Sequence, residues 1–386
     1  MSSKRVEGTL YFSVIAVFAI GQSIGAVDGA IAIIAEALHI PQSTAMYCST
    51  IGTLVSVFAS LAVGMFAGKR VGYRAVAVVS GFLLVGGGVL PFLASDFVGV
   101  CLCRAVFGIG LGGMLAVQNP VAVALVHDEQ ARARVLGRGT FVAFAFNCVE
   151  DVVGGVLADI GWNYAFLTYA LLVLPYLYYV ITLPSIPLVP AAPEGERGPF
   201  PKFVFGLFAM VLLCGLSITP LLVGCSFLSS NIVASGTVAG VAALAFSVGC
   251  MFGGLMFPRV YHAVGRRCMT AFCLLAAVGL LGCALTRNIV VLFVFLIVSG
   301  CGFSSVQASV MMVIGLRCDE RMVSLASGFV MGALNLGTFL CTNWMDFIGQ
   351  VTGDPLYTTV FISAGVYAFF AVVLCAKPLF PAKVEA

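Results

Sequence analysis

The stretch Arg70-Val71-Gly72-Tyr73-Arg74 has a weaker counterpart in Val264-Gly265-Arg266-Arg267, half a chain later. Three more landmarks recur in the same order: Gly108-Ile109-Gly110 with Gly300-Cys301-Gly302, Asp128-Glu129 with Asp319-Glu320, and Gly137 with Gly328. The offsets lie between 191 and 193 residues in a chain of 386. Each landmark also has the same place relative to its apolar neighbours, so the chain is predicted to consist of two related halves.

The composition indicates an integral membrane protein. Apolar residues make up 61% of the chain, charged residues only 9%, and the mean hydropathy is +1.12. A membrane-spanning helix needs about 20 apolar residues. We therefore predict an all-α membrane protein with twelve transmembrane helices in two pseudo-symmetric six-helix bundles, the spans lying near 10–34, 43–67, 75–95, 97–125, 139–158, 163–183, 203–230, 237–257, 269–286, 289–315, 323–346 and 356–376.

The basic residues predict the orientation, because loops rich in Lys and Arg stay in the cytoplasm. With the N-terminus inside, seventeen of the nineteen Lys and Arg residues lie on the cytoplasmic side. Only Arg287 lies outside, and only Arg104 lies within a span. We therefore expect a multi-pass protein of the cell membrane, inner or plasma, with both termini in the cytoplasm. The net charge of +3 reflects this bias and is no sign of nucleic-acid binding.

The domain organisation follows from the same spans. Residues 1–183 form the predicted N-terminal bundle and 202–386 the C-terminal bundle. The segment 184–201 contains six of the fifteen prolines and is predicted to be an extended cytoplasmic linker. The cysteines and histidines lack the spacing of a zinc or redox site. We expect a monomer without metal or cofactor.

One arginine lies inside a predicted span, where ionisable groups are costly and are candidate functional residues. Arg104 lies about 10 Å below the outer boundary of the fourth span. Asp28 lies at a similar depth in the first span, so the two side chains can be neighbours. The pair either fixes the packing of these helices or takes part in proton coupling.

Two adjacent acids, Glu150 and Asp151, lie in the fifth span, about 17 Å from its inner end. With Asp28 and Asp346 they compete for Arg104. Burial and like charge favour the neutral acid, so at least one of these groups is expected to hold a proton. Asp28, Arg104, Glu150 and Asp151 are therefore the candidate proton-coupling residues, while for Asp346 a place in the wet outer interface is favoured.

Weakly polar residues in mid-span are candidates for a substrate cavity. They are Gln22, Asn147, Ser304, Gln307 and Asn335. Such side chains also form hydrogen bonds between helices. The pairs Gly64 and Gly68, Gly249 and Gly253, and Gly328 and Gly332 have the small-residue spacing that allows helices to approach closely.

Over essentially the whole chain the sequence resembles the major facilitator superfamily of secondary transporters. The resemblance rests on the six-plus-six layout, the short basic loops after the second and eighth spans, and the stretch Arg104-Ala-Val-Phe-Gly108-Ile-Gly110-Leu-Gly112. That stretch is similar to the fourth-helix motif of this family. The resemblance implies that Arg104 is the buried arginine associated with proton coupling in the drug-exporting branches.

Two regions depart from the pattern of the family. The loop from Gly64 to Arg74 is similar to its gating loop, but Lys69 stands where an aspartate is usual. In the fifth span, Glu150-Asp151 stand where antiporters have a Gly-Pro pair, ahead of the retained Gly154-Gly155. The candidate gating residues are Gly64, Gly68, Lys69, Arg70, Gly72 and Arg74, with Gly265, Arg266 and Arg267 in the second half.

The leading hypothesis is a proton-coupled exporter of lipophilic or cationic small molecules that works by alternating access. No Lys or Arg lies within a span of the second half, so an anion site between two cationic walls is poorly supported. A proton-linked importer of a small neutral metabolite and a transport-inactive sensor or receptor stay open. The expected partners are a small-molecule substrate, protons and the lipid bilayer. An enzyme is not expected, because no nucleophile–base or metal constellation occurs.

Overall fold

The structure is a computed structural model that describes residues 3–21, 27, 34, 36–40, 42–45, 47–126, 128–188, 200–230, 236–354 and 356–380. Twelve helices, which we number α1 to α12, contain most of these residues. They are α1 Ser3–Gly21, α2 Tyr47–Phe66, α3 Tyr73–Val89, α4 Phe97–Leu125, α5 Glu129–Ile160, α6 Val173–Thr182, α7 Lys202–Ser230, α8 Gly236–Val264, α9 Cys268–Leu285, α10 Ile289–Arg317, α11 Glu320–Thr352 and α12 Tyr357–Ala376.

Short elements connect or extend these helices. A four-residue helix, Gln42–Ala45, precedes α2, and 3₁₀ turns at Leu90–Leu93 and Gly265–Arg267 follow α3 and α8. A longer 3₁₀ segment, Trp162–Leu172, leads into α6. Within the described residues, α6 and this segment together form one apolar stretch of membrane-spanning length.

The helices have the length and composition of membrane spans. Nine stretches of the described chain are long and apolar enough to cross a bilayer, and one of them, Leu244–Leu285, includes parts of both α8 and α9. Two shorter apolar stretches, Leu10–Gly21 and Thr50–Phe66, lie in α1 and α2. The predicted all-helical membrane fold is confirmed.

Polar residues between the apolar runs begin several helices. The Asp96 side chain accepts a hydrogen bond from the Gly99 backbone at 3.0 Å, at the start of α4. The Asn288 side chain accepts from the amides of Val290 and Val291 at 2.9 and 3.3 Å, at the start of α10. Such caps satisfy amides that the first turn of a helix leaves without a partner.

The two halves pack in the same order. In the first half α4 lies against α2 and α3, and α1 lies against α5. In the second half α10 lies against α8 and α9, and α7 lies against α11. Across the halves α2 packs on α11 and α5 packs on α8, which are equivalent pairs. The helix contacts therefore obey the pseudo-symmetry that the repeat predicts.

The repeated glycines have equivalent neighbours. A Cβ atom at Gly108 would collide with the backbone of α2, and one at Gly300 would collide with the backbone of α8. A Cβ at Gly110 would likewise collide with α3, and one at Gly302 with α9. Glycine at these four positions allows α4 and α10 to lie in direct contact with two neighbouring helices each.

Candidate functional site

The halves meet along two seams, α2 with α11 and α5 with α8. A Cβ at Gly137 of α5 would collide with the Gly254 carbonyl of α8, and one at Gly328 of α11 would lie 2.5 Å from the Ser60 carbonyl oxygen of α2. The Ser60 hydroxyl also donates a hydrogen bond to the Gly328 carbonyl, with an oxygen separation of 3.0 Å. The repeated Gly137 and Gly328 therefore occupy equivalent places on the two seams.

An asparagine connects the halves near the ends of α4 and α10. Nδ2 of the buried Asn119 donates to the Met311 carbonyl at 3.2 Å and to the Ser327 hydroxyl at 3.0 Å. The Ser324 hydroxyl donates to the Ala116 carbonyl at 3.2 Å nearby. Asn119 and Met311 are counterparts in the repeat. Equivalent positions of the two halves therefore contact each other here, as expected near the pseudo-symmetry axis.

The start of α5 also binds the second half. Nη1 of the buried Arg132 donates to the Gly315 carbonyl of α10 at 3.2 Å, and its Nε donates to the Val126 carbonyl at 3.1 Å. The Tyr261 hydroxyl of α8 donates to the Glu129 carboxylate. With those of Asn119 and Ser324, these contacts, which we call the closed gate, hold the halves together at the end that carries the basic loops.

A small cavity lies between the halves beyond the closed gate. It is lined by Phe18, Leu136, Thr140, Gln307, Ala308, Met311 and Met331, and its volume of about 10 Å³ is close to that needed for one water molecule. Gln307 is only 9% exposed, and its Oε1 accepts no hydrogen bond from the described residues. The lining is apolar apart from one amide and one hydroxyl, and in this conformation the space is too small for a substrate.

Arg104 is fully buried within the first half, between α2, α4 and the 3₁₀ segment before α6. Its Nε donates to the Cys48 carbonyl at 2.7 Å, and Nη1 donates to the Tyr169 hydroxyl at 3.0 Å. The guanidinium carbon lies 4.0 Å from the centre of the Phe107 ring, close enough for a cation–π interaction. Nη2 has no hydrogen-bond partner among the described residues.

Of the acids predicted to take part in coupling, the structure describes one side chain. Glu150 is fully buried on α5. Asp151 follows it on the same helix, but its side chain lies outside the described part, as do Asp28 and the side chain of Asp346. The predicted pairing of Asp28 with Arg104 therefore stays a prediction.

The predicted cavity residues lie in different surroundings. Gln307 lines the cavity described above, and Asn147 is half-buried on α5. The Ser304 hydroxyl donates to the Cys250 carbonyl at 2.9 Å within the second half. Asn335 Nδ2 donates to the Ser56 hydroxyl at 2.7 Å across the seam between α11 and α2. Gln22 lies outside the described residues.

The predicted gating loop of the first half forms a tight turn. Gly68 has a φ of +75°, and a Cβ there would collide with the Tyr73 ring. The Gly68 amide donates to the Val71 carbonyl at 2.8 Å, while Lys69 is half-buried and Arg70 exposed. Gly64 lies on the seam instead, since a Cβ there would be 3.0 Å from the Cα of Leu325.

The remaining gating candidates lie at the same end of the molecule. A Cβ at Gly72 would be 3.9 Å from the Ile186 carbonyl oxygen, which is ordinary contact, and Arg74 Nη2 donates to the Val180 carbonyl at 3.0 Å. In the second half, Gly265 has a φ of +55° and begins a 3₁₀ turn on which Arg266 and Arg267 are exposed.

Sequence reasoning did not find the residues of the closed gate. Asn119, Arg132 and the Glu129–Tyr261 pair join helices far apart in sequence, and no local pattern gives their partners. One signal was available, because Gln118 and Asn119 are adjacent amides directly before Pro120 in an otherwise apolar helix. Tyr169, the partner of Arg104, carried no comparable signal.

Comparison with known proteins identifies the class. The family model of the Major Facilitator Superfamily matches residues 13–342, and the chain belongs to that family. It is therefore a multi-pass membrane protein and a secondary transporter, and it is not an enzyme. No curated protein sequence matches the chain.

Two solved structures share the fold along nearly the whole chain. The human organic anion transporter MFSD10 (TETRAN) matches with a TM-score of 0.75 and 14% identity, covering 97% of this chain and 100% of its own. The proton:xylose symporter XylE, bound to 6-bromo-6-deoxy-D-glucose, matches with a TM-score of 0.78 and 13% identity, covering 97% of this chain and 96% of its own. At this identity the likeness concerns the fold.

Proposed function

We propose that this transporter is a proton-coupled exporter of lipophilic or cationic small molecules, working by alternating access in the cell membrane with both termini in the cytoplasm. The observation that carries the proposal is the apolar lining of the small space between the halves, beside the closed gate, which would widen into a substrate cavity as the halves move apart. Phe18, Met311 and Met331 supply apolar surface there, and the Gln307 amide supplies a hydrogen-bonding group. Such a lining suits a lipophilic substrate better than an anion.

Opening the closed gate would break a small set of side-chain hydrogen bonds. Those between neutral groups have a net stabilisation of about 0.5–1.5 kcal/mol each, and those of Arg132 and Glu129, which involve a charged group, about 1.5–3 kcal/mol. Glycines along the seams leave smooth backbone surfaces that can slide. The halves, 1–183 and 202–386, would rock about the cavity while the segment 184–201 links them, so that the cavity opens to one side at a time.

The coupling site would be the acid pair on α5. Glu150 is fully buried in an apolar helix, and an ionised carboxylate there is costly. Taking up or releasing a proton at Glu150 or Asp151 would therefore shift the equilibrium between the inward-open and the outward-open state. Arg104 would provide a positive charge on α4. One similar structure is of a proton:xylose symporter, and such a neighbour in fold is consistent with proton coupling.

A proton-linked importer of a small neutral metabolite is the second candidate. The observation in its favour is that the described cavity lining carries no charged group, only the Gln307 amide and the Thr140 hydroxyl. These groups can bind hydroxyl or carbonyl groups of a neutral ligand. The direction of pH-driven flux separates the two candidates.

The test is flux in proteoliposomes under an imposed pH gradient, with a panel of lipophilic cations and neutral metabolites. We expect Glu150→Gln or Asp151→Asn to abolish gradient-driven flux while substrate binding persists, because neither amide can carry a proton. Gln307→Ala is the matched variant, and it should weaken binding with the coupling intact. Flux that ignores both the gradient and the two acid substitutions would overturn proton coupling by this pair.

A further inference from the structure

A groove lies away from the gate, on the side of the first half. It has a volume of about 530 Å³, within the range of about 300–1,000 Å³ typical of ligand sites. Its wall consists of the first turns of α3, the end of α6 and the segment after α6. The lining residues are Gly72, Arg74, Ala75, Val78, Val79, Val180, Ser185 and Ile186.

The groove has an apolar wall and one cationic rim. Val78, Val180 and Ile186 are half-buried, and Val79 is exposed. Arg74 is exposed, and its Nη2 is held at the rim by the Val180 carbonyl at 3.0 Å. A guanidinium has five N–H donors, so this bond leaves others for a ligand. The groove therefore presents apolar surface and a fixed positive charge together.

The groove lies at the end of the apolar stretch Tyr73–Leu93, which is long enough to span a bilayer. Arg74 is the second residue of α3, and the lining extends along α3 to Val79, about 7.5 Å further at the rise of an α-helix. The turn before α3 adds Lys69 and the exposed Arg70 at the same end. Basic pockets between transmembrane helices at this level are suited to anionic lipid headgroups.

We propose that this groove binds an anionic phospholipid, with the phosphate at Arg74 and one acyl chain along the valines of α3 and α6. Charge complementarity selects the occupant. A zwitterionic lipid would contact the same apolar wall but gain less electrostatic attraction from Arg74. A soluble phosphate would bind Arg74 but leave the apolar wall exposed. The proposal concerns the surface facing the bilayer and does not depend on the transported substrate.

The site is tested by native mass spectrometry of the purified protein, titrated with phosphatidylglycerol and with phosphatidylcholine of the same acyl chains. We expect tighter binding of phosphatidylglycerol and about a fivefold loss for Arg74→Gln, as for one interfacial cation. Phosphatidylcholine binding should fall by less than phosphatidylglycerol binding. Arg267→Gln is the matched control, because Arg267 is the repeat counterpart of Arg74 and is also exposed.

Two further experiments distinguish the contribution of the apolar wall from that of the charge on Arg74. Ala75 is exposed on the groove, so Ala75→Trp should fill it and lower the binding of both lipids without disturbing the core. Glycerol 3-phosphate in excess should not displace phosphatidylglycerol, and displacement would assign Arg74 to a soluble phosphate. Equal affinity for the two lipids, or equal losses in Arg74→Gln and Arg267→Gln, would overturn the proposal.

Discussion

The helices α4 and α10 are counterparts that differ at one informative position. Both have 29 residues, and both use two repeated glycines to contact two neighbouring helices. Arg104 of α4 corresponds to Leu296 of α10, and both side chains are fully buried. The same architecture therefore forms with a cation in one half and a leucine in the other, so packing alone does not require the arginine.

The helices α5 and α11 repeat this contrast. Glu150 of α5 corresponds to Cys341 of α11, and both are buried. In each pair the ionisable residue lies in the first half and an apolar one in the second. Since buried charge is costly and the second half forms without it, the charges of the first half are best explained by function. Substitutions at positions that the two halves share should therefore affect folding, and substitutions at positions where they differ should affect transport.

The largest effect is expected where the halves are alike. Gly110→Val and Gly302→Val would each push a side chain into the backbone of a neighbouring helix, α3 or α9. Both variants should fail to yield folded protein, as judged by size-exclusion chromatography in detergent. Gly86→Ala on α3 is the control, because no other helix of the described structure comes within 4 Å of a Cβ there. Loss of folding in only one of the two variants would show that the glycines are not equivalent.

The next effect concerns the asymmetry itself. Arg104→Leu places the residue of α10 in α4, and it removes the hydrogen bonds that the guanidinium donates to the Cys48 carbonyl and the Tyr169 hydroxyl. We expect a loss of about 1–3 kcal/mol in the free energy of unfolding, with folded protein retained. Gradient-driven flux should fall at least about tenfold, as expected if the charge stabilises one state of the cycle by about 1.4 kcal/mol or more.

The matched variant for Arg104→Leu is Leu296→Met, a volume-conserving change in the second half that should leave flux unchanged. Thermal unfolding and proteoliposome flux, measured on the same preparations, separate stability from transport. Folded Arg104→Leu protein with full flux would show that Arg104 has only a packing role.

A smaller effect is expected at the closed gate. Asn119→Ala removes two hydrogen bonds between the halves, so the state with this gate open should gain population by roughly tenfold. Spin labels at the exposed positions 70 and 266, in a background without reactive cysteines, should report a larger fraction of long distances. Ser299→Ala is the control, because the Ser299 hydroxyl donates to the Leu296 carbonyl of its own helix and not across the halves in the described part of the chain. An unchanged distance distribution would argue against Asn119 as a gate residue.

The sequence predicted the features that depend on local composition. The predicted span 97–125 coincides with α4, and the repeat predicted that Gly108 and Gly300 have equivalent places. Span ends set by hydropathy were less accurate, because α5 begins at Glu129 while its apolar part was placed at 139–158. The partners of Arg104 and Asn119 could not be predicted, since they depend on how distant helices pack. Only the glycines indicate which helix faces approach each other closely.

The smallest effect tests another repeated landmark. Asp128 and Asp319 precede α5 and α11, but only the Asp128 side chain caps its helix, accepting from the Ala131 amide at 2.6 Å. Asp128→Ala should therefore lower the free energy of unfolding by about 1 kcal/mol, as is typical for a lost cap. Asp319→Ala should change it little, because no cap is lost. Unfolding of both variants in detergent, compared in one experiment, decides the point. Equal losses would mean that Asp128 and Asp319 stabilise their helices alike, through the field of the helix dipole. The two halves would then differ in their membrane-embedded charges and not in these capping positions.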